Sequence, residues 1–179
     1  MSGAYDVIVL DAESNGLAGQ AFAFGAITCD AAGELAAVTY RCPIVGPVDP
    51  WVAENVLPVI EDVEVNCEDY AELCAALRQT WAAWGGEVKR SRMLTHIAWP
   101  VEARLLLDAF PGRHVWKGPF PLNDVANTLT DRGFDSTSVD RYLDQQGLGK
   151  PVGNPHNPLY DVRATERAYY HLRTGRSRL

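Results

Sequence analysis

The chain has 179 residues, 47% of them apolar, with five Trp and seven Tyr, which is enough for the core of one domain and too much for a disordered segment. A net charge of −7 excludes a protein that coats long duplex DNA through its own lysines and arginines, although bound metal ions can meet phosphate locally. There is no signal-peptide pattern and no apolar run near the roughly 20 residues of a membrane span. Cys29, Cys42, Cys67 and Cys74 show neither a CxxC nor a zinc-site spacing, so they read as reduced thiols of a cytoplasmic protein.

Val7 to Leu10 is a continuous apolar run that predicts a strand buried on both faces. A second strand is expected over 21–28 and a third over 35–41, joined by the hairpin-type turn Asp30-Ala-Ala-Gly33, so the three should form an antiparallel meander. Asp49-Pro50 starts a helix that stops before Pro58. Apolar residues at Tyr70, Leu73, Cys74, Leu77, Trp81 and Trp84 predict a helix over 69–84, ended by Gly85-Gly86. A short strand is expected over 93–97, a helix over 100–110, a strand over 114–117, a helix over 124–131 capped by Asn123, and a helix over 138–146. After a Gly-, Pro- and Asn-rich loop over 147–158, the last helix is expected over 160–173, with Gly175 at its C-terminal cap. This order predicts an α/β fold with a mixed sheet and helices on both faces, in which ligands sit at the carboxyl ends of the strands.

Asp11-Ala-Glu13 lies at such an end. Side chains two apart on a strand share a face, so the two carboxylates can hold divalent cations together. The stretch from His156 to Thr165 supplies a second group. His156 precedes the last helix, and Asp161 lies in its first turn. Thr165, Ala168 and Leu172 follow Asp161 at helical spacing, which points the acid toward the sheet. A histidine beside a metal-bound carboxylate can take a proton from water. The same two residues also fit a solvent loop and a charge that complements a helix dipole.

Taken together, Asp-x-Glu-Ser-x-Gly-Leu on the first strand and His-x4-Asp at the last helix resemble the DEDDh branch of the DEDD 3'-5' exonucleases, which share an RNase H-like fold. Asp11, Glu13, Ser14, Gly16 and Leu17 match the first motif. Phe22 to Ile27, Leu122-Asn-Asp124 and Asp161-Val-Arg-Ala-Thr165 resemble further stretches, so the resemblance spans residues 5–173. The middle departs from it. The second motif is commonly His-Asn-x-x-Phe-Asp, whereas here His96-Ile-Ala-Trp99-Pro100-Val-Glu102 stands in its place. Glu102, within about one position of the expected acid, is the candidate, with Asp108 as the fallback; Glu102 also fits a plain helix N-terminal charge.

The resemblance implies a single exonuclease domain over 1–179, with an RNase H-like mixed sheet of a three-stranded antiparallel meander plus parallel strands, flanked by helices. It implies hydrolysis of single-stranded RNA or DNA from the 3' end to nucleoside 5'-monophosphates. Two divalent ions, Mg2+ or Mn2+, would be held by Asp11, Glu13, Glu102 and Asp161, with His156 as general base. Ser14, Asn15, Gly16 and Leu17 would hold the terminal nucleotide, with His96 and Trp99 near the substrate. Leu17 fits a core position almost as well. Phe22 and Phe24 are further aromatic candidates for stacking. Lys89 to Arg92 and Arg173 to Arg178 are basic clusters that fit phosphate contacts or solvated charge. Related exonucleases are often homodimers, so the resemblance extends to one. The alternatives are a nucleic-acid-binding module of this fold that lost a ligand, and a hydrolase of small nucleotides or dinucleotides.

Overall fold

The computed structural model describes residues 6–86, 92–112 and 115–177. Strands β1 (Val7–Ser14), β2 (Ala21–Cys29) and β3 (Glu34–Arg41) form the antiparallel meander, and β4 (Arg92–Thr95) and β5 (Leu122–Asp124) extend it with parallel pairs. The order β3-β2-β1-β4-β5 makes β1 the central strand, which is why its first four residues are all buried.

The side-chain alternation of β1 divides the interior into two cores. Ile8, Leu10 and Ala12 pack with residues of α1 (Pro50–Asn55), α2 (Tyr70–Ala83) and α3 (Val101–Ala109). Val7 and Val9 pack with α4 (Val125–Asp131), α5 (Val139–Gln145) and α6 (Pro158–Thr174) on the other face. Fully buried aliphatics such as Leu77 and Leu129 each contribute about 1.5–3 kcal/mol relative to exposure. Asp11 and Glu13 continue the odd-numbered row and so face α6. Phe22 and Phe24 are fully buried core residues rather than stacking surfaces. All four cysteines are buried, and none forms a disulfide among the described residues. Among the described residues no helix is long and apolar enough to cross a membrane.

Several elements differ from the expectation. No strand forms over residues 115–117; His114 lies outside the described residues. The fifth strand is Leu122–Asp124, too short for a visible alternation. The Asn123 amide is spent on the carbonyls of Met93 and Pro121, so Asp124 rather than Asn123 caps α4, accepting from the Ala126 N–H. Helix α6 begins two residues earlier than expected, because Asn157 caps it and Pro158 occupies its first turn, where a missing N–H costs nothing. Of the basic cluster at 89–92 only Arg92 is described, and it is exposed; Arg178 of the C-terminal cluster is likewise outside the described residues.

Candidate active site

The carboxyl end of β1 is the floor of a cavity of about 490 Å³. The pairing of β1 with β2 shifts register between Glu13 and Ser14, an irregularity of the kind common beside active sites. Helix α6 comes down onto this floor at one point. Gly25 of β2 pairs with Asp11, and a Cβ on Gly25 would lie 2.6 Å from the carbonyl carbon of Pro158. Glycine is therefore what lets the first turn of α6 seat directly over Asp11.

That approach delivers Asp161 and the loop before it. The His156 backbone N–H donates to Asp161 Oδ2 at 2.8 Å, and the His156 backbone lies in the left-handed region at φ 69°. Histidine is among the few non-glycine residues that tolerate this. The ring of His156 then stands 3.9 Å from Glu13 Oε1, and the Trp51 ring meets it edge-on with centroids 5.2 Å apart. Burial lowers the His156 pKa, so the imidazole is neutral near pH 7 and its approach to Glu13 is a proximity, not an ion pair. Among the described residues, Glu13, His156 and Asp161 bring ligand-type atoms within 4.8 Å of one another.

Glu102 reaches the floor from the other side. The parallel pairing of β1 with β4 ends at Val9, and beyond it Glu102 Oε1 accepts the Ala12 N–H at 3.2 Å. The carboxylate thus satisfies a buried backbone donor that β4 no longer reaches. Two devices hold α3 in place. Arg104 donates to the carbonyls of Ala18 and Gly19 in the β1–β2 turn, and Asp124 accepts the Ile97 and Ala98 N–H groups in the β4–α3 turn.

The electrostatics of this arrangement are costly without a cation. Burial, and then the Glu102 charge, push the Asp11 carboxyl well above the usual range. Burial, followed by Asp11, Asp161 and Glu102, does the same to Glu13. Asp161 is pushed up to about 9 by burial and Asp11, and Glu102 to about 8 by burial against the pull of its backbone hydrogen bonds. Asp11 Oδ2 is buried with no hydrogen-bond partner. No lysine or arginine among the described residues lines the cavity. Clustered hard oxygen donors, one orphaned and none neutralised by a protein cation, fit divalent metal ions.

Of the sequence candidates, Asp11, Glu13, Ser14, Gly16, Leu17, His96, Trp99, Glu102, His156 and Asp161 all line this cavity. Asn15 does not: its amide group donates to the Pro47 carbonyl and accepts the Asp49 N–H, tying the β1–β2 turn to the start of α1. Asp108 is also elsewhere, accepting from the Tyr70 hydroxyl. His96 is turned inward, its Nε2 2.9 Å from the Ser136 carbonyl. Sequence reasoning missed Trp51, Ile97 and Asp140, which also line the cavity. Trp51, in the first turn of a six-residue helix, carried no signal beyond being aromatic.

Neither a family model nor a curated protein matches the sequence. Solved structures do share the fold. The nuclease domain of 3'hExo, a DEDDh family member bound to rAMP, is 12% identical with a TM-score of 0.74, over 99% of this chain and 98% of that one. Exonuclease X in complex with 5' overhanging duplex DNA is 13% identical with a TM-score of 0.59, over 96% and 94%. E. coli exonuclease I in complex with a dT13 oligonucleotide is 14% identical with a TM-score of 0.66; the match covers 94% of this chain but 41% of that longer one. At these identities the likeness is one of fold, and it agrees with the mixed sheet flanked by helices expected above.

Proposed function

We propose that this chain, folded as the DEDDh 3'-5' exonucleases are, is a metal-dependent 3'-5' exonuclease of single-stranded nucleic acid. The observation that carries the reading is the convergence of Asp11, Glu13, Glu102, Asp161 and His156 on one cavity with no protein cation among the described residues that line it. Asp11, Glu13 and Asp161 would hold the divalent ions, with Glu102 completing the set from α3. When bound, such ions polarise the scissile phosphate and activate water.

The protein's own residues supply the rest. Neutral His156 accepts a proton from the attacking water, a role for which a histidine kept unprotonated at neutral pH is suited. Its Nδ1 lies beside Glu13, and the Trp51 ring packs against it nearly at right angles. The N–H of His156 on Asp161 couples the base to the carboxylate it works with. The exposed side chains of Leu17, Trp51 and Trp99 offer apolar surface to a nucleobase, which suits a strand with unpaired bases. An acidic cavity with no lysine or arginine among the described residues that line it gives a long duplex little to bind.

The test is a 5'-labelled single-stranded RNA and its DNA counterpart, incubated with Mn2+ or with EDTA. Stepwise shortening from the 3' end, lost in EDTA and in His156→Ala, is expected. Binding without cleavage would instead make the chain an inactive module of this fold. Cleavage confined to dinucleotides would make it a small-substrate hydrolase.

A further inference from the structure

Ile97 is in the wrong backbone conformation for its side chain. It is β-branched and sits at φ 58°, in the left-handed region that such residues almost never enter. Backbone strain of this kind persists only where the surroundings over-determine it, and it concentrates at functional positions. The surroundings here are the Asp124 carboxylate. Its Oδ1 accepts the Ile97 N–H at 3.0 Å and the Ala126 N–H at 2.9 Å, and its Oδ2 accepts the Ala98 N–H at 2.9 Å. The strain is not explained by core packing, because Ile97 is 45% exposed. Ile97 lines the cavity that Asp11, Glu13 and His156 also line.

Resting on the nuclease reading above, we propose that Ile97 is a substrate-contacting residue whose side chain forms a wall for the base of the terminal nucleotide, and that Asp124 is the positioning residue that holds it there. An extended backbone at residue 97 would relieve the strain and turn the side chain away. A glycine or asparagine would keep the left-handed turn at lower cost and offer no aliphatic surface. The chain keeps an isoleucine at a position that is poor for stability, and the cavity wall is what it gains. Asp124 has a full set of donors, so replacing one of its oxygens by an amide sets a donor against a donor at Ala98.

The experiment compares wild type, Ile97→Asn and Asp124→Asn on two strands of equal length, one ending in an ordinary 3' nucleotide and one in a 3' abasic nucleotide, with the melting temperature of each metal-free protein measured alongside. Ile97→Asn should melt about 2–4 °C higher, because strain is relieved. It should raise KM on the ordinary strand about tenfold with kcat little changed, and it should cut the wild-type preference for the base-bearing end at least threefold. Asp124→Asn should melt lower and lose the same preference. An Ile97→Asn protein that melts lower, or that keeps the wild-type preference and KM, overturns the proposal while leaving the nuclease reading intact. Wild-type protein that shortens neither strand overturns both.

Discussion

The α6 wall of the cavity is fixed by close packing, whereas the α3 wall is held by a few hydrogen-bonded carboxylate oxygens. On the α6 side, the backbone of Pro158 rests where a Gly25 side chain would be, and this contact sets Asp161 and His156 over the end of β1. On the α3 side, Glu102 hangs from the Ala12 N–H, and the turn before it hangs from Asp124. The two walls therefore carry their precision differently. Packing tolerates almost no change of volume, while a hydrogen-bonded carboxylate tolerates isosteric change as long as its acceptor oxygens survive.

The sharpest test of this contrast pairs one residue from each wall. His156→Ala should lower kcat by ~10²–10⁴, the usual contribution of a general base. Glu102→Gln keeps an oxygen for Ala12 but removes the charge. It should weaken Mn2+ binding and activity while the metal-free protein melts at about the same temperature near neutral pH, where the buried Glu102 carboxyl already keeps its proton. Full activity in Glu102→Gln would reduce the α3 wall to scaffold.

Next in size is Gly25→Ala. The added methyl must displace Pro158, at a cost of about 1–3 kcal/mol for overpacking. Thermal melts should show the loss, and activity should fall with it because Asp161 and His156 move together. An unchanged melting temperature would show that the α6 wall is softer than its packing implies.

The last effect is graded rather than abrupt. In the fold Asp161 and Glu102 keep their protons up to about pH 9 and 8, whereas in the unfolded chain they lose them near pH 4. The folded state binds more protons across that window. The stability these groups contribute is present in full below about pH 4 and is lost as pH rises through 8 and 9. Melting temperatures in EDTA should therefore decline across the neutral and alkaline range, and Mn2+ should flatten the decline. A series equally flat with and without Mn2+ would break the argument for a cation-requiring cluster.

The same contrast explains what the sequence made legible. Asp11-Ala-Glu13 and His156 to Asp161 were readable because each is a local pattern on one element, and the apolar run of β1 announced the central strand. Glu102 was legible as a type and a place, but not its bond to Ala12, which depends on where β4 stops. Gly25 read only as part of an apolar strand, since its role is to admit a segment far along the chain. Asn15 looked like part of the nucleotide site because the motif contains it, yet its amide is consumed by the loop at Pro47 and Asp49. Ile97 stands where the resembling motif carries Asn. That departure was visible, but its physical meaning lies in a backbone angle that no residue pattern records.

The packing of α6 on β1 and β2 also has a consequence for synthesis. Asp11 and Glu13 leave the ribosome well before His156 and Asp161 do. A nascent or truncated chain that ends between α5 and His156 holds Asp11, Glu13 and Glu102 but neither His156 nor Asp161. It therefore lacks two of the three members of the Glu13–His156–Asp161 cluster. The order of translation thus brings this cluster together only after both cores have most of their strands and helices.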